Sequence, residues 1–417
     1  MSTMEKIIYV YYDGEQVSAP VLMGALESVT LRGKEIFSFQ FDQNWLQSRL
    51  ARSFDPDLQL FSGRQYVPDG KTNFGLFLDS TPDRWGKLLL DRRERERARS
   101  ENRAVRALRE SDYLLGVFDD SRMGALRFKS DPDGPFLDDD AAMATPPWAS
   151  IRDLEYASLQ LEKEGKGLES KWLRMLLHPG SSLGGARPKA NVSDDSGHLW
   201  IAKFPSGKDR KDVGAWEAVC IQLARLSGIT VSDWKVERFN RDYHTFLTKR
   251  FDRKDDGRRI HYTSAMTLLG YTDGADAASG ASYLELADWI SRNCTDVDGN
   301  LIELFRRIVF SIAVSNCDDH LRNHGFLFTS KGWTLSPAFD LNPDEYGTGL
   351  SLCINENDNA LDFNLVREIA PYFGIMDSEA DRITASIRRV VSYWSSLATS
   401  YGIPRSEQEA MKGCFKV

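Results

Sequence analysis

Residues 35–41, EIFSFQF, alternate polar and apolar positions, the two-residue period of a strand with one buried face. Upstream, KIIYVYY (6–12) is rich in branched and aromatic residues. It stops at Asp13-Gly14, a turn dipeptide, so it predicts a second strand. The period then changes. Residues 81–110, TPDRWGKLLLDRRERERARSENRAVRALRE, carry a proline near the start and good helix formers after it, which predicts one long helix. GALRF (124–128) returns to a strand pattern.

Acids, glycine and prolines in SDPDGPFLDDDAAMATPP (130–147) mark an exposed connector before a new unit. Helical patterns run from about 150 to 178, break at SSLGGARPKANV (181–192), and give way to a strand in HLWIAKFPS (198–206). VGAWEAVCIQLARLSGI (213–229) predicts a helix ending at Gly228. WKVERF (234–239) and HTFLTKRF (244–251) predict paired strands around the turn NRDY. Beyond about 280 the chain is mostly helical, interrupted by SNCDDHLRNHGFL (315–327) and GWTLSPAFDLNP (332–343). A β-containing part followed by a helix-rich part suggests an α+β protein of two lobes with a cleft between them.

The 417 residues exceed one typical domain, and 41% hydrophobic content supplies a sizeable core. A net charge of −8 excludes a surface built throughout for nucleic acid or anionic membrane. The basic stretch is the local exception: ten Lys or Arg lie between Arg84 and Arg109, with four acids interleaved. A solvated helix with i,i+4 ion pairs is the plainer reading, and a partner or nucleic-acid contact the sharper one. No apolar run approaches the roughly 20 residues of a membrane helix, so no membrane partner is expected. The start, MSTMEKIIYVYYDGEQ, has no signal-peptide pattern. Cys220, Cys294, Cys317, Cys353 and Cys414 form no metal-ligand spacing and suggest reduced thiols in a cytoplasm.

The chemistry concentrates in SNCDDHLRNHGFL, where polar groups sit between apolar runs. Asp318 and Asn323 have the five-residue separation of the Asp and Asn in a protein-kinase catalytic loop. One must reach the attacking hydroxyl and the other a Mg²⁺ ion on the phosphates, so a short loop serves both. Asp340, seventeen residues after Asn323, stands where a kinase places its second metal ligand, in an FDL context rather than DFG. Oxygen donors of this kind suit Mg²⁺. Upstream, SSLGGARPKA is a Ser/Gly turn followed by a cation, suited to backbone contact with phosphates, though it matches neither the Walker pattern nor G-x-G-x-x-G. Lys203, on the strand WIAKFP, and Glu217, on the next helix, fit the Lys–Glu pair that grips ATP phosphates. The competing assignment is a metal-dependent phosphohydrolase using Asp318, His320, His324 and Asp340. Bracing of the loop by the two histidines is preferred, with Asp319 as a cap or turn residue. A non-catalytic interaction protein is the third class. Arg322 is expected to neutralise phosphate charge or to pair with a carboxylate, and Arg250 with Asp252 to form a surface pair.

DYLLGV, GALRF, SSLGGARPKA, IAKFP, KRFDR, SNCDDHLRNHGF and LSPAFDLNP, with LDSTPDRWG (78–86) before them, occur in the order seen in HipA-type serine/threonine kinases. The chain resembles that family over most of its length. The resemblance implies an α+β, protein-kinase-like two-lobed fold: a β-rich N-terminal region at 1–145, a first lobe at 146–253 and a helix-rich second lobe at 254–417. It implies Asp318 as catalytic base, with Asn323 and Asp340 holding Mg²⁺. ATP would be bound by Ser182, Leu183, Gly184, Gly185, Ala186, Arg187, Lys189, Lys203, Lys249 and Phe251, with Glu217 as supporting ion pair. Lys249 departs from many relatives, which carry Glu there. Ser182 matches the family's autophosphorylation site, with Ser181 second. The implied partners are a protein substrate, including aminoacyl-tRNA synthetases as a class, a small helix-turn-helix antitoxin (HipB-like), and operator DNA reached mainly through that antitoxin.

Overall fold

The computed structural model describes residues 4–137, 145–163, 176, 187–240 and 243–417. They form two compact units: residues 1–207 with 252–263, and residues 208–251 with 264–417.

A five-stranded antiparallel sheet organises the first unit, in the order β4 (Gln65–Tyr66), β3 (Lys34–Phe41), β2 (Val21–Leu31), β1 (Met4–Tyr12), β5 (Leu126–Lys129). Central β2 has no clean alternation in sequence, because Gly24 and Ser28 interrupt its apolar face. Gly24 is required there: a Cβ would lie 2.3 Å from the Gln40 carbonyl oxygen of the neighbouring strand. Ser28 is buried with its hydroxyl on Glu35. Inward-facing Ile8, Val10, Leu26, Phe37, Phe39 and Phe41 meet Trp45, Phe54, Phe77 and Phe128 in an aromatic core. Phe39 lies 4.9 Å from Phe41 and 5.4 Å from Phe77, ring to ring.

Helix α1 (Arg84–Ser100) begins where Asp83 accepts a bond from the Gly86 N–H at 2.7 Å, an N-cap. It is shorter than the sequence pattern, ending before Asn102, whose φ is +51°. Its acids do not form the expected i,i+4 pairs. Glu94 binds Arg103 at 2.6 Å and Arg106 at 3.5 Å, beyond the helix end, and Asp91 accepts from the Tyr113 hydroxyl at 2.8 Å. Helix α2 (Ile151–Lys163) and the hairpin of β6 (Lys189–Ser193) and β7 (Leu199–Lys203) complete this unit's larger elements. Residues 252–263 return to it through charge. Arg253 donates to the carbonyls of Asp120 and Arg122 (both 2.8 Å), Arg259 to that of Asp119 (2.8 Å), and the Gly124 N–H to Asp252 (2.8 Å).

The second unit holds α3 (Val213–Leu226) and the paired strands β8 (Trp234–Glu237) and β9 (Thr245–Lys249). Its core is α5 (Val297–Val314), which follows α4 (Tyr283–Asn293) and buries Leu304, Phe305, Ile308, Val309 and Ile312. Asp296 caps α5 through the Gly299 N–H at 3.1 Å. The later helices are α6 (Phe363–Ile369), α7 (Asp377–Val391), α8 (Trp394–Ser400) and α9 (Arg405–Met411). Residues 415 and 416 are anchored: Phe415 stacks on Trp394 at 4.5 Å, and the Lys416 N–H reaches the Ala313 carbonyl at 2.8 Å. No described helix is long and apolar enough to cross a membrane. All five cysteines are buried thiols.

Candidate active site

Helix α5 delivers the catalytic-type loop. It stops at Ser315, whose left-handed φ of +49° turns the chain, and Asn316 closes the turn by donating its N–H to the Ser311 carbonyl at 2.8 Å. The two carboxylates that follow point to opposite environments. Asp318 is exposed, its side chain 88% accessible, whereas Asp319 is buried. One Asp319 oxygen lies 3.0 Å from His324 Nε2, and the other accepts from the Tyr283 hydroxyl at 2.6 Å and the Ser311 hydroxyl at 3.2 Å. Burial alone would raise the Asp319 pKa; His324, Tyr283 and Ser311 outweigh it and hold the carboxyl below the ordinary range. Asp319 is therefore an anchor beneath the loop, a stronger role than the cap or turn expected from sequence.

Asp318 is shifted the other way. Its pKa is raised, first by desolvation at the loop, with His320 opposing and the negative charges of Asp340, Asp319 and Asp344 adding. Asn323 turns its Nδ2 inward to the Asp318 carbonyl oxygen at 2.9 Å, so its Oδ1 is the remaining acceptor. That orientation is fixed chemically, since only the NH₂ group can donate.

Asp340 comes from the hairpin of two short strands, Gly325–Thr329 and Gly332–Leu335. Past the hairpin, the Ala338 N–H reaches the Thr230 carbonyl at 2.8 Å, and Phe339 lies 5.6 Å from Phe251. Asp340 itself has φ +60°, a left-handed conformation that Asp tolerates better than most residues and that concentrates at functional sites. Two bonds tie the following segment to the catalytic-type loop: Asn342 N–H to Asn316 Oδ1 at 3.2 Å and Asp344 N–H to the Ser315 carbonyl at 2.9 Å. Asp318, Asn323 and Asp340 thus offer hard oxygen donors in a region where Asp344 adds further negative charge, which fits Mg²⁺. No group of three His, Cys, Asp or Glu among the described residues forms a metal cluster. The phosphohydrolase set separates: His324 is committed to Asp319, and His320 Nε2 is 4.0 Å from Asp318.

Also in the second unit are Lys249, whose N–H binds the Asp233 carbonyl at 2.8 Å, Phe251 against Phe339, and Glu217, buried on α3. Arg322 pairs with Asp273 at 3.3 Å. In the first unit, Lys203 ends β7 and is half-buried, as is Arg187. Lys189 requires a correction. Its ammonium, 3% exposed, pairs with Asp83 at 2.9 Å, and its carbonyl accepts from Trp85 Nε1 at 3.0 Å, so it ties β6 to the start of α1 instead of presenting a cation to phosphate. Arg250 and Asp252 are corrected too, for both are buried. Ser181, Ser182, Leu183, Gly184, Gly185 and Ala186 lie outside the described residues. Tyr283, Ser311 and Asn316 escaped the sequence reading. Tyr283 had one indirect signal, the S-x-x-E capping box of Ser282 and Glu285 that fixes the start of α4.

Residues 181–394 match the family of the HipA-like C-terminal domain. The chain belongs to that family. Among relatives of the HipA-like chain, a candidate kinase of Haemophilus influenzae is 25% identical over 179 residues, 39% of this chain and 52% of that protein. The serine/threonine-protein kinase toxin HipA of Shewanella oneidensis is 24% identical over 143 residues, 30% of this chain and 33% of that one. The chain therefore spans about half, or less, of the length of these curated relatives. The solved complex of Shewanella oneidensis HipA with HipB and operator DNA contains a chain of the same fold, with a TM-score of 0.67 at 17% identity, covering 99% of this chain and 95% of that one. The expected α+β, protein-kinase-like fold is borne out by that likeness.

Proposed function

We propose that this HipA-like chain is an ATP- and Mg²⁺-dependent serine/threonine protein kinase. The observation that carries the reading is the outward-facing Asp318 beside an Asn323 whose Oδ1 is left available by its own bond to the loop, with Asp340 in a left-handed turn linked to the same loop. Asp318 accepts the proton of a substrate hydroxyl as that oxygen attacks the γ-phosphate, and desolvation at the loop, with repulsion from neighbouring carboxylates added, makes it a better base than an isolated Asp. Asn323 and Asp340 would hold Mg²⁺, which supplies charge neutralisation for the phosphates when bound. The family resemblance assigns the phosphates to Lys203 with Glu217 in support, and to the loop Ser182–Arg187. Phe251 and Lys249 would flank the nucleotide.

The protein substrate is proposed to be of the aminoacyl-tRNA synthetase class, with Ser182 as the site of autophosphorylation. The proposed partner is a small helix-turn-helix antitoxin, HipB-like, that carries most of the DNA contact in a cytoplasmic toxin–antitoxin pair. The Shewanella complex, in which HipA is found with HipB and operator DNA, supports that partnership. No observation favours the phosphohydrolase. Incubation with labelled ATP and Mg²⁺ tests the reading: label should appear on protein with wild type and not with Asp318→Ala or Asp340→Ala. Free phosphate released from a phosphorylated substrate, without transfer from ATP, would reject it.

A further inference from the structure

Helix α1 carries more positive charge than its surroundings use. Two of its three acids are spent inside the fold: Asp91 on Tyr113, and Glu94 on Arg103 and Arg106. Lys87 is likewise taken by Glu110 at 2.8 Å. Four of the remaining arginines are arranged in a row with Leu88. Arg84, Leu88, Arg92, Arg95 and Arg99 follow the spacing i, i+4, i+8, i+11, i+15, which places all five on one stripe of an α-helix. Arg84, Leu88, Arg95 and Arg99 are exposed, and Arg92 is half-buried. Among the described residues none of the four arginines has an ion pair, and only Glu96 flanks the stripe. Burial, then repulsion from Arg95, lowers the Arg92 pKa. At 1.5 Å per residue, Arg84 to Arg99 spans about 22 Å.

We propose that this stripe binds the phosphate backbone of double-stranded DNA directly. The occupant follows from the residues present. Guanidinium groups suit phosphate oxygens bidentately. The stripe has no aromatic residue for stacking unpaired bases, which argues against single strands. Leu88 alone is too little apolar surface for an interfacial membrane helix. An overall charge of −8 keeps such binding weak, so the stripe adds affinity to a complex more than it forms one alone. The inference deepens the DNA association proposed above and does not depend on kinase activity.

The test uses the full chain and a fluorescent 30-base-pair DNA duplex, with anisotropy measured at several salt concentrations. Each phosphate contact adds roughly 0.9 to the slope of log K against log salt, so Arg84→Gln/Arg92→Gln/Arg95→Gln/Arg99→Gln should lower the slope by roughly 3–4. Lysine at the same four positions should keep most of it. Arg32→Gln/Arg292→Gln/Arg382→Gln/Arg405→Gln, elsewhere on the surface, should change it by less than about one unit. A stripe effect no larger than this scattered control overturns the proposal. So does wild type with no salt-dependent duplex binding, or loss of binding only to phosphatidylglycerol vesicles. Melting curves and label transfer on the same preparations separate misfolding, and failure of the kinase reading, from failure of the stripe.

Discussion

Asp319 and His324 close the base of the candidate catalytic loop: an Asp319 carboxylate oxygen lies 3.0 Å from His324 Nε2, with both side chains buried. The residue before Asp319 is exposed Asp318. Adjacent residues of one loop thus face opposite ways, one into the interior and one to the surface. The anchor fixes the backbone from which Asp318 and Asn323 project.

Removing the anchor should cost stability. Asp319→Ala leaves a buried imidazole and two hydroxyls without their acceptor, and a loss of about 3–5 kcal/mol is expected by urea unfolding. Tyr283→Phe removes one neutral donor to the same carboxylate and should cost about 1–2 kcal/mol. Because the Asp319 pKa is lowered in the fold, its contribution is complete above the ordinary carboxylate range and fades as pH falls through the lowered value. Equal stability of wild type and Asp319→Ala at neutral pH would refute the anchor role.

Asp318→Asn should separate binding from chemistry. Calorimetry should give nearly unchanged nucleotide affinity, while label transfer falls by about two orders of magnitude or more. A raised carboxyl pKa has the opposite stability sign to Asp319. The cost of ionised Asp318 is absent at low pH and appears as pH rises from the ordinary carboxylate value through the raised one. Without Mg²⁺, the Asn variant should therefore melt higher than wild type at pH 7 and alike at pH 3. Parallel loss of affinity and turnover would instead make Asp318 a metal or structural group.

Lys189→Met should behave as a folding variant. Breaking its buried pair with Asp83 is expected to cost about 3–5 kcal/mol, and Asp83→Leu added to it should recover part of the loss. Nucleotide affinity per folded molecule should stay near wild type. A selective loss of ATP affinity with an unchanged melting temperature would return Lys189 to the phosphate site.

His261 should govern part of the acid sensitivity of the first unit. Its ring packs 4.1 Å from Phe54, and burial pushes its pKa down to about 3. The unfolded chain, titrating near 6.5, binds a proton that the folded chain refuses, so stability falls as pH drops from about 6.5 towards 3. The full cost is up to roughly 4–5 kcal/mol at 1.36 kcal/mol per pKa unit. His261→Phe should flatten that window in pH-dependent melting; an unaltered slope would show that other groups carry it.

Local patterns made several elements readable. Alternation marked β3, an early proline with good helix formers marked α1, and paired runs marked β8 and β9. Strand β2 was missed because a buried Ser28 and the close approach at Gly24 look like loop chemistry until the neighbouring strands are in place. The end of α1 was misplaced because Glu94 is held by Arg103 and Arg106, which lie outside the helix.

Chain connectivity alone brings Asp318 and Asn323, five apart, into one short loop. Asp340 could be nominated for the same reason, one hairpin later. Long-range packing sets which of two adjacent aspartates is the anchor, through Tyr283, Ser311 and His324. It also commits Lys189, one of two strand lysines in the candidate phosphate region, to Asp83, 106 positions away. The physical reason is the same in both cases. A charged side chain keeps its charge in the interior only beside a partner, and the fold chooses that partner from anywhere in the chain.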